Sequence, residues 1–273
     1  MSGKQLFGMY RAVCEFNEDS EKRGRIKARI WGLHTDKKTK SVTEGIPTME
    51  LPWCEPCLPI MEGGISGFGI FGVPLPGAHL MVFFEAGNLD QPRYFASLPS
   101  FPTIKADKTK GFNDPNGVYP KEERLNEPDY HRLARGVTAK TLVTKKNSDA
   151  ARAVATATGE TWNEPSLYGT RYPHNLVIAT HSGLVIELDS TPGANHLQIY
   201  HPSNSFIEID HDGDMIVRNQ NNRYNIVLGS SNSHVKNNDN MTADENINIF
   251  AGSNVNIKAT GNVNIEGGTV NIN

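Results

Sequence analysis

Cys54 and Cys57 form a Cys-x-x-Cys pair, a spacing that could serve zinc or thiol–disulfide chemistry. A structural zinc site needs four ligands, normally a second pair at similar spacing. Cys14 is the one other cysteine, and no His-x-x-x-His accompanies it. Pro56 and Pro59 put the pair in an extended segment, so the thiols are expected to be unpaired residues of a strand and a loop. Gly63, Gly64, Gly67, Gly69 and Gly72 invite a phosphate-loop reading. Such a loop needs a Lys followed by Ser or Thr and a helix whose N-terminus holds the anion. Here the Lys is missing and Pro74 and Pro76 block a helix, so barrel corners and bulges account better for the glycines. His174, His181, His196, His201 and His211 are spread singly and read as packing or surface residues, not as metal ligands. Arg25, Lys27 and Arg29 alternate with Ile26, Ala28 and Ile30, which puts three cations on one face of a strand beside Trp31. Basic grooves with stacking aromatics bind single-stranded nucleic acid, but a solvated face, or one turned to a partner protein, is the reading adopted. No catalytic, cofactor or metal site is expected.

Those residues must be positioned by a chain of 273 residues with formal net charge −3 and a pI near 6.3. That balance gives no basic excess for nucleic acid or lipid. With 37% hydrophobic residues and a mean hydropathy of −0.45, one thick core is not expected, and an elongated or oligomeric architecture fits better. Neither a secretory signal nor an 18-residue apolar run is visible.

Residues 1–98 read as a small β-barrel of five or six short strands. A strand begins within 6–14, residues 24–31 alternate with period two, and 79–85 (His-Leu-Met-Val-Phe-Phe-Glu) reads as a strand buried on both faces. Asp90 to Leu98 reads as a turn followed by a strand. Residues 99–171 are punctuated by Pro99, Pro102, Pro115, Pro120, Pro128 and Pro165 and read as an extended linker, with a short helix expected over 150–158. From 172 to 273 the chain is β-rich. Short alternating runs at 184–188, 196–200, 206–209 and 214–217 are separated by turns at Gly183, Pro192-Gly193 and Asp212-Gly213.

The last segment then repeats itself: Asn246-Ile-Asn-Ile, Asn254-Val-Asn-Ile, Asn262-Val-Asn-Ile and Thr269-Val-Asn-Ile. Each copy holds an apolar pair at i and i+2, which a strand sends to one face. Ordering eight backbone residues costs roughly 1–2 kcal/mol each, whereas burying one Val or Ile returns about 1.5–3 kcal/mol. A single chain therefore cannot stabilise this repeat by itself. Three chains wound about a common axis could each supply one wall, with their stripes meeting in the middle and their strand edges paired. The expected axis fillers are Ile247, Ile249, Val255, Ile257, Val263, Ile265, Val270 and Ile272.

With these elements in order, the chain resembles a known family. Tyr172-Pro-His-Asn, His181-Ser-Gly-Leu-Val-Ile-Glu-Leu-Asp-Ser-Thr-Pro-Gly, Ile199-Tyr-His-Pro-Ser and Phe206-Ile-Glu-Ile-Asp-His-Asp-Gly are similar to the needle start of central spike (tail-lysozyme hub) proteins of contractile-tail phage baseplates. VgrG spikes of type VI secretion are relatives of that family. Gly77-Ala-His-Leu-Met-Val-Phe-Phe-Glu-Ala-Gly-Asn and Gln91-Pro-Arg-Tyr resemble its OB-fold, and the 111–120 and 127–134 segments its linker. The resemblance implies an all-β chain: an N-terminal OB-fold barrel, an extended linker and a C-terminal intertwined trimeric β-helix. It implies a structural spike in the virion tail baseplate, made in the host cytoplasm, that pierces the host outer membrane when the sheath contracts. A baseplate hub protein would meet the barrels, and a separate PAAR-like protein would cap the tip. The alternatives are a cell-wall hydrolase of the tail-lysozyme type and a secretion or bacteriocin spike.

Two departures from the family shape that expectation. Some members carry a lysozyme domain, which needs an acid and a second carboxylate in a folded cleft. The linker here looks too short for that domain, so Glu122, Glu123, Glu127, Asp129 and Glu164 are expected to be solvated linker carboxylates. Some short spikes end in a His-x-His iron site, but the last histidine here is His234.

Overall fold

The computed structural model describes residues 5–35, 45–58, 71–100, 127–137, 154–162 and 169–271, in two compact units, Met1–Arg135 and Gly136–Asn273. Of the glycine-rich stretch, positions 63–69 lie outside the described residues, as do Glu122, Glu123 and Glu164.

In the first unit, β1 (Met9–Phe16), β2 (Ile26–Ile30), β3 (Trp53–Pro56), β4 (His79–Phe84) and β5 (Pro92–Leu98) close a barrel in the order β1-β2-β3-β5-β4. β1 runs antiparallel to β2 and β4, and the ring shuts through a parallel β3–β5 pairing at Glu55↔Arg93 and Pro56↔Tyr94. Closure leaves no open sheet edge. Alternate residues of the strands fill the interior: Ala12 and Cys14, Ile26, Ala28 and Ile30, Cys54, Leu80, Val82 and Phe84, and Tyr94. The Tyr94 hydroxyl donates to the Gly24 carbonyl at 2.7 Å, so its one polar atom is satisfied inside the core. The β1–β2 connection is held by Asp19, whose carboxylate accepts from the backbone N–H of Glu21, Arg23 and Arg25 and from the Arg25 guanidinium at 2.7 Å. That guanidinium holds the Asp19 carboxyl well below the usual carboxylate range.

The cationic face of β2 is not solvated. Arg29 is 0% exposed, and Arg25 and Lys27 are buried with it. The segment 45–53, which includes a 3₁₀ turn at Thr48–Glu50, lies over this face. Arg29 makes a two-pronged ion pair with Glu15 (2.8 and 3.0 Å) and donates to the carbonyls of Thr35 and Ile46. The Thr48 hydroxyl donates to Glu15 at 2.8 Å. Lys27 donates to the Leu51 carbonyl at 2.6 Å and sits 4.2 Å from the Trp53 ring centre. The alternation was legible, but the covering segment arrives from about twenty residues downstream, where no local pattern announces it. β4 differs from expectation as well. Leu80, Val82 and Phe84 are buried, while His79, Met81 and Phe83 on the other face are only half-buried.

In the second unit, β6 (Val154–Ala155) and β7 (Thr161–Trp162) form a small hairpin. This overturns the helix expected over 150–158, at least for its described part, 154–158. Gly159 turns the chain at φ +84°, and Thr156 N–H donates to the Glu160 carbonyl, so Val154 pairs with Trp162 and Ala155 with Thr161 across a tight turn. β8 (Asn175–Ala179), β9 (Val185–Asp189), β10 (His196–His201), β11 (Ser205–Ile209) and β12 (Met215–Arg218) follow as an antiparallel meander, each strand beside the next. The four runs expected from alternation are β9 to β12. Among the described residues no strand follows Arg218, and residues 219–271 are exposed throughout.

Candidate functional site

The meander strands carry a mixed buried side and an apolar exposed side. Asn175, Glu187, Asp189, His196, Gln198 and Glu208 lie on the buried side together with Val185, Tyr200 and Phe206, while ten further apolar residues point out. Strand register assembles the outward residues into two complete rungs. One runs Ile178, Ile186, Ile199, Ile207, Val217 across all five strands. The neighbouring rung runs Leu176, Leu188, Leu197, Ile209, Met215. These side chains are 38–64% exposed. A contiguous apolar patch of this kind is rare on a monomeric soluble protein and marks an interaction surface.

Each strand contributes to the rungs through an apolar pair at i and i+2, and the octads carry the same unit. Ile247/Ile249, Val255/Ile257 and Val263/Ile265 are all exposed, with the first member of each pair the less exposed (52%, 55% and 53% against 74%, 73% and 68%). Val270 is 47% exposed, and Ile272 lies outside the described residues. Residues 219–271 form no ladder within one chain, although every peptide group carries a donor and an acceptor that need partners. The described members of the expected axis-filler set are thus exposed in a single chain at a regular spacing. The rungs above them were missed in the sequence, although five successive i, i+2 pairs were the signal that could have revealed them.

The residues that could have done other chemistry are occupied. Cys14 and Cys54 are buried free thiols of β1 and β3, and Cys57 is exposed. Burial pushes the Cys14 thiol up to about 12 and raises Cys54 as well. Glu127 pairs with Arg135 and Arg132 at 3.4 and 3.6 Å, and Asp129 accepts from the Ser100 N–H at 2.9 Å and from its hydroxyl. These two carboxylates are structural rather than freely solvated. Among the described residues, no group of three or more His, Cys, Asp or Glu is arranged to hold a metal ion.

A closed five-stranded barrel followed by an antiparallel meander with an exposed apolar face defines the class: an all-β chain with an N-terminal OB-type barrel. Residues 32–167 match the family described as the Gp5 N-terminal OB domain. The chain is 31% identical over 254 residues to Protein Gp5 of Vibrio phage KVP40, covering 82% of this chain and 60% of that protein. It is also 31% identical over 111 residues to the pre-baseplate central spike protein Gp5 of Enterobacteria phage T4, covering 40% of this chain and 19% of that one. The chain is thus similar to Gp5 proteins of two phages, one of them named as a pre-baseplate central spike protein, and it spans less than two thirds of the length of either.

Proposed function

We propose that this chain is the subunit of a phage baseplate central spike, and that three copies associate through the two apolar rungs and wind their octads into a common needle. The observation that carries this reading is the match between the rungs and the octads. Both present apolar i, i+2 pairs to the same kind of face, and both are left open by a single chain. Covering a half-exposed Ile or Leu contributes on the order of 1 kcal/mol, repeated over ten residues per chain in the meander alone. The proposed partition is a barrel at 1–98, a linker at 99–171 and a spike at 172–273.

In this reading the spike sits in the virion tail baseplate and pierces the host outer membrane on sheath contraction, a mechanical role without catalysis. The barrels face a baseplate hub protein. Met9, Phe83 and Phe95, with the last two rings 5.9 Å apart, offer an apolar contact on the barrel's outer surface. A PAAR-like tip protein completes the far end, the outer membrane is contacted only transiently, and nucleic acid is not a partner. Light scattering on the full chain is expected to give three times 30.1 kDa, and a monomer at micromolar concentration would sink the proposal. Zymography on peptidoglycan is expected to show no clearing. Clearing that depends on Glu127 or Asp129 would instead establish a cell-wall hydrolase.

A further inference from the structure

The buried side of the meander holds a charge arrangement that assembly through the opposite face does not require. Glu187 and Asp189 lie two residues apart on β9, both with side chains 0% exposed, and His196 on β10 lies between them. The His196 Nε2 is 3.5 Å from Glu187 Oε2, and its Nδ1 is 3.4 Å from Asp189 Oδ2 and 3.2 Å from the Ala194 carbonyl. Each ring nitrogen therefore faces acceptors. A neutral imidazole has one donor and one acceptor nitrogen, so either tautomer would set a lone pair against an oxygen, whereas the imidazolium donates from both.

Neutral donors already bind other lone pairs of the two carboxylates. The Asn175 amide of β8 donates to Glu187 at 2.5 Å, Thr170 donates to Asp189 Oδ2 at 2.9 Å, and the Thr191 hydroxyl and N–H donate to Asp189 Oδ1. The remaining charged groups on this face are Glu208 of β11, one rung away across Gln198, and Arg218 at the edge on β12. Among the described residues, His196 is the titratable base placed between the two β9 carboxylates.

We propose that His196 is a buried imidazolium that locks β9 to β10 at the start of the C-terminal unit, and that loss of its proton releases the lock. Hydrogen bonding and charge attraction from Glu187, with Asp189 contributing, outweigh burial and raise the imidazole above its ordinary value of 6.5. A group raised in the folded state stabilises fully below its unfolded value and loses that contribution as pH rises through its folded value. The lock therefore holds fully in acid, below 6.5, and opens as pH rises through the raised folded-state value. It concerns a single sheet and stands whether or not the chain assembles as a spike.

The test is histidine C2-hydrogen exchange read by mass spectrometry on the full-length protein, with the other eight histidines as internal references. The His196 midpoint is expected above 6.5, and to fall in Glu187→Gln. A midpoint at or below 6.5 overturns the proposal. As a second readout, the wild-type melting temperature between pH 6 and pH 9 should include a drop of about 2–4 °C that is absent from His196→Gln. An equal drop in the variant also overturns it.

Discussion

The barrel and the meander use the same period-two alternation to opposite ends. In the barrel, apolar residues face inward and the single cationic face is closed by a segment of the same chain, down to the Arg29–Glu15 pair at 0% exposure. In the meander, polar residues share the buried side with Val185, Tyr200 and Phe206, and ten apolar side chains are left outside. One unit covers its own faces, and the other leaves an apolar face exposed in a single chain. The comparison teaches that the apolar fraction of a segment does not say whether it folds alone; what matters is which face its own chain can cover.

Introducing charge on the open face should break the contrast most severely. Ile186→Asp with Ile199→Asp places carboxylates on facing central positions of one rung. Light scattering is expected to fall to the single-chain mass while barrel melting is unchanged. An intact trimer would remove the rungs from the interface. Val263→Asp with Ile265→Asp should do less, fraying the repeat while the meander contacts hold, visible as protease sensitivity confined to the C-terminal segment.

Within the barrel, Arg29→Ala removes the ion-pair partner of the buried Glu15, at an expected cost of about 3–5 kcal/mol in denaturant unfolding. Replacing both partners with apolar residues of similar volume should recover most of it, and failure to recover would mean that the backbone bonds of Arg29 dominate. Gly136→Ala comes next. Gly136 sits at φ +68°, and an added Cβ would lie 2.8 Å from the Tyr172 backbone nitrogen, so a loss of about 1–3 kcal/mol should appear in the second unit alone. Tyr94→Phe removes the hydroxyl bonded to Gly24 and should cost about 1 kcal/mol. The smallest effect is chemical. Cys57 should react promptly with a thiol reagent in the native protein, and Cys14 and Cys54 only on unfolding, because burial raises both thiols.

The strands themselves were readable because alternation is local. Ile26–Ile30 and β9 to β12 announce themselves in four to six residues each. The octads were equally plain, since a repeated i, i+2 pair fixes one stripe whatever surrounds it. Sequence alone thus determined the all-β class, the turns at Gly183, Gly193 and Gly213, and the positions of the apolar stripes. Only tertiary structure decided which stripe is covered. Residues 45–53 fold over the cations of β2, the meander turns Glu187, Asp189 and His196 inward, and strand register lines ten separate apolar residues into two rungs. The physical reason is that a strand's two faces are equivalent by periodicity. Solvation separates them, and solvation is set by segments distant in the chain.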